Sequence, residues 1–387
     1  HAALRVTDLR TEQLKNPLGI DIRHPRLGWR IESDEQNVMQ TAYHILVASS
    51  PELLAQGKGD CWDSGKVKTD ASQWITYQGK TLKCNTPYYW KVKVYTHTNE
   101  TDWSEPASWS MGLLNEADWQ GQWIGLDRPA PGDSETQWSR LAARYLRKEF
   151  ALTKEVKRAT VHIAGMGLYE LFINGQRIGE QVLAPAPTDY RKTILYNTYD
   201  VTPQLQKENA IGVILGNGRF YTMRQNYKPY KIPTFGYPKL RLNLIVEYTD
   251  GSRQTIASDI SWKLTTEGPI RSNNEYDGEE YDARKELGDW NRTGYDDTNW
   301  IPAGRVSIPS GTLRAQMMPG MKVTESLKPV SIRKQGDKHI LDIGQNMAGW
   351  LRIRIKGQAG DSIRLRFAER LQPDGEIFTK NLRDAHC

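Results

Sequence analysis

The densest group of acidic side chains in the sequence is the run Glu-Tyr-Asp-Gly-Glu-Glu-Tyr-Asp-Ala-Arg, which begins at Glu275 and ends at Arg284. At the two-residue period of a β-strand, Asp277 and Glu279 point to the same face. Two neighbouring carboxylates suit a hard cation such as Ca²⁺, and they also suit general acid and base catalysis. A third interpretation is structural, with Asp282 capping a turn and pairing with Arg284. The residues leave these three interpretations open.

A second candidate follows the apolar segment 211–215, where Asn217 stands between Gly216 and Gly218. Flanking glycines let the backbone bend and present the amide in a loop. The following loop is aromatic and includes Tyr227 and Tyr230. Rings beside amides can form a sugar platform, because sugar C–H faces stack on rings while hydroxyls bond polar groups. The other interpretation is a loop that packs on its own rings.

Several other chemistries are excluded by residue spacing and composition. The seven histidines are never three or four residues apart, which argues against zinc, and no Gly-Xaa-Ser-Xaa-Gly run occurs. Three cysteines form no disulfide framework, so we expect free thiols at Cys61 and Cys84. The net charge of +6 includes no basic block, so we expect no nucleic-acid partner. No apolar run is long enough to predict a membrane span.

The elements that must position these residues are predicted to be β-strands throughout. Residues 1–115 alternate apolar and polar side chains over 27–31, 42–48 and 88–95, a pattern typical of an immunoglobulin or fibronectin III sandwich. We expect a turn at 62–66. Residues 118–306 favour a jelly-roll, with hairpin turns at Asn174-Gly175 and Asp250-Gly251 and at most a short helix near 201–208. Its strands are predicted at 145–151, 158–165, 169–173, 210–215, 240–248, 253–257 and 262–265.

The last part, 307–387, is predicted to be an exposed linker followed by an incomplete β-sandwich. Apolar residues alternate with polar ones over 351–355 and again over 363–367, which predicts two strands. An isolated hairpin is marginally stable in water. We therefore expect the chain to be part of a longer protein.

Taken in order, several motifs resemble those of the bacterial α-L-rhamnosidases of glycoside hydrolase family 78, and they cover essentially the whole chain. The front part contributes Leu-Gly-Trp-Arg-Ile at 27–31, Trp-Asp-Ser-Gly at 62–65 and Tyr-Trp-Lys-Val at 89–92. The middle contributes Tyr-Glu-Leu-Phe-Ile-Asn-Gly at 169–175, Thr-Asp-Tyr at 188–190, Thr-Tyr-Asp-Val-Thr at 198–202, Leu-Gly-Asn-Gly at 215–218 and 276–284. The tail contributes Asp-Ile-Gly-Gln-Asn-Met-Ala-Gly-Trp at 342–350, Ala-Glu at 368–369 and Asn-Leu-Arg at 381–383.

The resemblance implies an all-β fold of tandem sandwiches placed before an (α/α)6 catalytic barrel that this chain lacks. The implied activity is hydrolysis of terminal α-L-rhamnose from glycosides or plant polysaccharides with inversion, by two carboxylates expected beyond Cys387. No catalytic residue is therefore assigned here. The implied location is periplasmic or extracellular, and the sequence shows no secretion signal of its own. The resemblance does not imply a particular oligomeric state.

In some relatives the jelly-roll binds rhamnose with calcium, which implies candidate ligands here. The candidates for sugar binding are Asn174, Asn217, Tyr227 and Tyr230. The candidates for metal binding, with calcium as the metal, are Asn174, Asn217, Asp277 and Glu279. The chain departs from the family at Pro187, where many members carry Trp, and that change implies a lost stacking platform. Two alternatives to the front part of an enzyme are a free-standing rhamnose-binding lectin and a structural array without ligand.

Overall fold

The fold is that of a computed structural model, which describes residues 4–131, 133, 141–221, 235–275 and 278–382. Strands make up 41% of it and helical residues 5%, which confirms the prediction of an all-β protein. The short helical elements are α1 (Pro51–Ala55) and 3₁₀ turns at Glu116–Asp118, Thr202–Gln204, Ala283–Lys285 and Lys380–Leu382. Within the described ranges, no helix has the length and apolar character needed to cross a membrane.

The first sandwich packs a three-stranded sheet, in the order β1-β2-β5, against a four-stranded sheet, in the order β4-β3-β6-β7. Its core centres on the buried indoles of Trp29, Trp90 and Trp109. Such large rings stabilise a small sandwich because each removes much apolar area from water. The strands are β1 (Arg5–Thr11), β2 (Arg26–Glu32), β3 (Gln40–Ala48), β4 (Trp62–Lys68), β5 (Ile75–Thr76), β6 (Pro87–Thr96) and β7 (Ala107–Ser110).

The turn predicted at 62–66 is wrong, because these residues begin strand β4. The pairing of β4 with β3 shifts register between His44 and Leu46, opposite Gly65, whose φ is +58°. The Ser64 hydroxyl accepts a hydrogen bond of 2.8 Å from the Ile45 backbone N–H at the same irregularity. A bulge therefore accommodates the residues that look like a turn in the sequence.

The jelly-roll consists of two larger sheets that face each other. One has the order β21-β8-β15-β10-β13-β22 with β16 beside β15, and the other has the order β12-β11-β14-β9-β17-β20. Apolar side chains that alternate along β10, β15, β11 and β14 fill the space between them. The strands of the two sheets are β8 (Ile124–Gly125), β9 (Arg144–Ala151), β10 (Val156–Met166), β11 (Leu168–Ile173), β12 (Gln176–Arg177), β13 (Thr193–Asp200), β14 (Glu208–Gly216), β15 (Lys239–Tyr248), β16 (Arg253–Ala257), β17 (Lys263–Thr265), β20 (Ile301–Pro302), β21 (Gly304–Arg305) and β22 (Thr312–Ala315). A separate hairpin pairs β18 (Ile270–Asn274) with β19 (Gly278–Tyr281).

Each strand predicted for this middle part is present, and both predicted hairpin turns are confirmed. The Asn174-Gly175 turn joins β11 to β12, and the Asp250-Gly251 turn joins β15 to β16. The segment after residue 306 is more than an exposed linker, because β22 pairs in parallel with β13. Near 201–208 the only helical element in the described chain is the 3₁₀ turn at Thr202–Gln204.

The tail contains one short hairpin, β23 (Ser331–Gln335) and β24 (Lys338–Asp342). The strands predicted at 351–355 and 363–367 are wrong for this chain, since the described residues there form no strand. The alternating pattern is real, but a ladder needs a neighbouring strand to accept its hydrogen bonds. The apolar residues of both segments remain exposed: Leu351, Ile353, Ile355, Ile363, Leu365 and Phe367.

A polar seam joins the first sandwich to the jelly-roll through His162 on β10, whose side chain is fully buried. Its Nε2 lies 3.0 Å from Oδ1 of Asn85, in the first sandwich, and its Nδ1 lies 2.9 Å from Oγ1 of Thr198 on β13. Because an amide oxygen accepts, Nε2 carries the proton and Nδ1 accepts from the hydroxyl. Burial, followed by the positive charge of Arg158, lowers the pKa of His162 from 6.5 to about 3.

We predict that His162 makes folding stability pH-dependent. Its folded pKa of about 3 lies below its ordinary value of 6.5, so the unfolded chain takes up the proton first as the pH falls. The neutral His162 side chain contributes fully to the free energy of unfolding above pH ~6.5, and about 2–3 kcal/mol of that contribution is lost by pH ~4.5. Melting curves of the wild type and of His162→Gln between these pH values check this. The variant should be less stable at neutral pH and show a flatter pH dependence.

The matched control is His97→Gln, since His97 is exposed in the loop after β6. That variant should retain the wild-type slope. Equal slopes for His162→Gln and the wild type would contradict the assignment.

Candidate functional site

Asn217 lies at the end of β14 in a tightly packed corner of the jelly-roll. Its Nδ2 donates to the backbone oxygens of Leu141, at 2.9 Å, and Asn273, at 2.7 Å. Its backbone N–H donates to Oδ1 of Asn273 at 2.7 Å. The side chain is buried, and no group in the described chain donates to its Oδ1. A buried oxygen without a donor carries an uncompensated desolvation cost, and an amide oxygen is a ligand type that Ca²⁺ accepts.

A buried ion pair holds the neighbouring segment in place. Nη2 of Arg144, on β9, lies 2.9 Å from Oδ2 of Asp133, and their side chains are 0% and 1% exposed. Asp133 also accepts from the backbone N–H groups of Ala130, at 2.7 Å, and Ala142, at 2.9 Å. Desolvation lowers the pKa of Arg144, and the Asp133 charge opposes that shift. The pair therefore fixes the chain that enters β9 beside Leu141, which carries one acceptor for Asn217.

A second ion pair links the segment after Asn217 to the β18–β19 hairpin. Arg219 donates Nε and Nη2 to the two carboxylate oxygens of Glu275, at 2.7 and 2.6 Å. Both side chains are partly exposed, so the pair is bidentate but open to solvent. It links a residue two positions after Asn217 to the residue that follows β18.

Aromatic rings cover the ends of the loop that follows Asn217. Phe220 and Phe235 stack with ring centroids 5.9 Å apart, and Tyr221 and Tyr237 stack at 5.4 Å. These contacts match the interpretation of a loop that packs on its own rings, at least at its ends. The sugar-platform candidates Tyr227 and Tyr230 lie outside the described residues.

Asn174 occupies a different part of the molecule. It adopts φ +50° in the turn after β11, where its Oδ1 accepts from Ala210 at 2.9 Å. Its Nδ2 donates to the backbone oxygen of Gln204 and to Oδ1 of Asn209, both at 2.9 Å. In the β11–β14 register Ile173 faces Ile211 and Leu168 faces Gly216, so Asn174 and Asn217 lie at opposite ends of the strand pair. The structure does not bring these two candidates together.

The acidic run is divided by the structure. Asp277 lies outside the described residues, whereas Glu279 lies on β19 directly opposite Asn273, the residue that holds Asn217. Although Glu279 is exposed, desolvation and then the carboxylate of Glu170 raise its pKa. Asp282 accepts from the backbone N–H of Arg284 at 3.1 Å and pairs with its guanidinium at 2.8 Å, as the structural interpretation predicts.

The arrangement favours oxygen ligands over nitrogen or sulfur ligands. Across the described part of the chain, no three His, Cys, Asp or Glu side chains converge as a metal cluster would. The oxygens at this corner are the Asn217 Oδ1 and the three acceptors that Asn217 donates to, namely the backbone oxygens of Leu141 and Asn273 and the Asn273 Oδ1. The Glu279 carboxylate belongs to the residue opposite Asn273 across the hairpin. Both cysteines that the structure describes, Cys61 and Cys84, are free thiols, as predicted.

The sequence analysis missed Arg144, Asp133 and Asn273. Arg144 gave a usable signal, because it directly precedes Tyr145 and Leu146 in a predicted strand, and an arginine that is buried with such residues must find a partner. Asp133 and Asn273 gave no comparable signal. Asn273 lies 56 residues from Asn217. Asp133 is only 11 residues from Arg144, but it lies on no strand, so the alternation of side chains does not predict their contact.

Comparison with protein-family models matches three consecutive parts of the chain. Residues 6–115 match the Rha78A-like N-terminal immunoglobulin domain, and residues 154–325 match the α-L-rhamnosidase N-terminal domain. Residues 332–387 match the bacterial α-L-rhamnosidase concanavalin-like domain.

Whole-chain relatives give the same result. An α-L-rhamnosidase of Formosa agariphila is 40% identical over 385 residues, which cover 94% of this chain and 40% of that protein. The solved α-L-rhamnosidase of Dictyoglumus thermophilum superposes with a TM-score of 0.85 at 38% identity, over 98% of this chain and 43% of that one. The Streptomyces avermitilis α-L-rhamnosidase solved with L-rhamnose gives a TM-score of 0.88 at 27% identity, over 99% and 53%. The chain thus spans about two fifths of the curated relative's length.

We predict that the two arginine pairs around Asn217 contribute very differently to stability. Arg144→Ala leaves the Asp133 carboxylate buried without its partner, which costs about 3–5 kcal/mol of the free energy of unfolding. Arg219→Ala removes a solvent-exposed pair and costs less than about 1 kcal/mol. Chemical denaturation of both variants measures the difference. Equal losses would show that the Arg144–Asp133 pair does not fix this corner.

Proposed function

We propose that this chain, which belongs to the bacterial α-L-rhamnosidase family, corresponds to the non-catalytic N-terminal β-domains of its members. In that role it supports the catalytic part of an enzyme that hydrolyses terminal α-L-rhamnose. The substrate class is rhamnose-containing glycosides or polysaccharides, and catalysis belongs to a part of the protein outside this chain. The two sandwiches and the tail that follows them position that part and contribute binding surface.

One observation carries the proposal: three rhamnosidase domain models match consecutive stretches of the chain from residue 6 to residue 387. The identity of 40% extends across 94% of the chain, so the match includes loops as well as cores. The charged groups support a structural role, because Arg144 and Arg147 are buried and held by carboxylates of the same domain. An inverting glycosidase instead needs two carboxylates separated by roughly 6.5–9.5 Å across an open cleft.

We predict that the 387-residue chain alone does not hydrolyse an aryl α-L-rhamnoside. A chain extended to the length of the relatives should release the aryl group, since it would contain the catalytic part. The measurement is release of the chromophore by each protein at equal concentration. Turnover by the 387-residue chain alone would refute the proposal.

A second role, calcium-assisted sugar binding by the jelly-roll, is favoured by the unpartnered Oδ1 of Asn217. The residues present suit Ca²⁺ in ligand type, because amide and carboxylate oxygens are its preferred donors. Asn217 would supply the amide oxygen, and Glu279, which faces Asn273 across the hairpin, would supply a carboxylate. Bound calcium would offer open coordination positions to sugar hydroxyls. Negative charge concentrated by Glu279 and Glu170 would also be neutralised.

We predict that Ca²⁺ raises the melting temperature of the chain and that a chelator reverses the effect. At a concentration of 100 Kd the added stability is about 2.7 kcal/mol. Asn217→Ala should abolish the calcium-dependent rise. The matched control is Asn174→Ala, which also removes internal amide hydrogen bonds but has no unpartnered oxygen. It should lower the baseline melting temperature and keep the calcium response, whereas a response retained in Asn217→Ala would exclude this site.

A further inference from the structure

A cleft of about 350 Å³ lies on the outer side of the jelly-roll, away from Asn217. One wall is the segment 116–123, which connects the first sandwich to the jelly-roll, and the other is the segment 305–313, which runs from β21 toward β22. Arg241, on β15, lies between the two walls. A volume of this size is at the lower end of the range for small-molecule sites.

Arg241 is a buried cation with an exposed counter-ion. Its Nε donates to the Gly121 backbone oxygen at 2.6 Å, and its Nη1 pairs with Oε1 of Glu116 at 2.5 Å. Its guanidinium lies 5.3 Å from the ring centroid of Trp119. The Arg241 side chain is 10% exposed, whereas that of Glu116 is 73% exposed. A buried cation needs an anion beside it, and a solvent-facing carboxylate on a short 3₁₀ turn is easily replaced by one from a ligand.

Arg305 adds a second positive charge to the same cleft. It ends β21, is exposed, and forms no ion pair with any residue that the structure describes. The cleft therefore contains two guanidinium groups and one carboxylate, so its net charge favours an anion. Guanidinium groups bind carboxylates with two parallel hydrogen bonds, which makes a carboxylate the expected anionic group.

The rest of the lining suits a polar ring. Gln120 and Gln122 contribute amides that can bond hydroxyls, while Trp119 and Trp123 belong to the core and are only 7% and 8% exposed. A ligand that matches these groups has one carboxylate and several hydroxyls.

We propose that this cleft binds a uronic acid unit of an acidic polysaccharide, with its carboxylate held by Arg241 and Arg305. The site goes beyond the proposed hydrolysis, because terminal rhamnose is neutral and this ligand is charged. Binding here holds an acidic glycan against the non-catalytic part of the protein. The closing experiment measures binding alone, so its outcome is independent of the activity assay.

The test is calorimetric titration of the whole 387-residue chain at low ionic strength with D-glucuronate, D-glucose and acetate. Glucuronate and glucose share a ring and differ in the carboxylate, and acetate provides the carboxylate without the ring. Glucuronate should bind at least about tenfold more tightly than glucose, the factor expected for a charge-assisted contact, and more tightly than acetate, which lacks the hydroxyls. Added salt should weaken the binding.

Arg305→Gln should weaken glucuronate binding about tenfold, and Arg305→Lys should restore part of it by retaining the charge. Arg305 is exposed, so both variants should melt like the wild type. The matched control is Arg284→Gln, an exposed arginine outside the cleft that should bind as the wild type does. No binding, equal binding of glucuronate and glucose, equal binding of acetate, or an unchanged Arg305→Gln would each overturn the proposal.

Discussion

The arrangement of the front two domains depends on a seam of buried polar groups, where the turn that contains Asn85 meets the sheet that contains β10 and β13. His162 is held neutral between Asn85 and Thr198, with both ring nitrogens bonded. A charged imidazole there would need a carboxylate that the described seam does not provide. Two glycines permit the close approach, since a Cβ at Gly19 would overlap Thr198 and one at Gly112 would overlap the hydroxyl of Tyr196. The seam therefore tolerates neither added charge nor added volume.

The seam also places the connecting segment that forms the proposed uronate cleft. Trp119 packs edge-on against Tyr196, with ring centroids 5.3 Å apart, and Tyr196 donates to the Leu113 backbone oxygen at 3.1 Å. Trp119 in turn lies beneath the Arg241 guanidinium. Docking of the two domains thus determines where the cleft forms. The packed rings of Tyr196 and Trp119 therefore connect the seam to the cleft.

Buried arginines serve two different purposes in the jelly-roll. Arg144 pairs with the equally buried Asp133, so its charge is neutralised within the fold. Arg241 is paired with the solvent-exposed Glu116, so its charge remains available to a ligand. Both arginines are buried, so the difference between the structural pair Arg144–Asp133 and the proposed binding pair Arg241–Glu116 is the exposure of the carboxylate. A similar distinction applies to the asparagines, because Asn174 uses its whole amide internally whereas Asn217 leaves Oδ1 without a donor among the described residues.

The sequence by itself determined the strands of the middle part and the hairpin turns at Asn174-Gly175 and Asp250-Gly251, because alternation and turn chemistry are local properties. The ordered motifs likewise identified the family. Local patterns failed where a neighbour decides the outcome: 62–66 became a strand because β3 accommodates a bulge there, and 351–355 formed none because no described strand lies beside it. Only the tertiary structure separated Asn174 from Asn217, joined Arg144 to Asp133 and brought Arg241 and Arg305 into one cleft. Most of these residues lie tens of positions apart, and sheet order, which spacing does not encode, decides which of them meet. Asp133 is only 11 residues from Arg144, but it lies on no strand, so strand alternation does not predict that contact either.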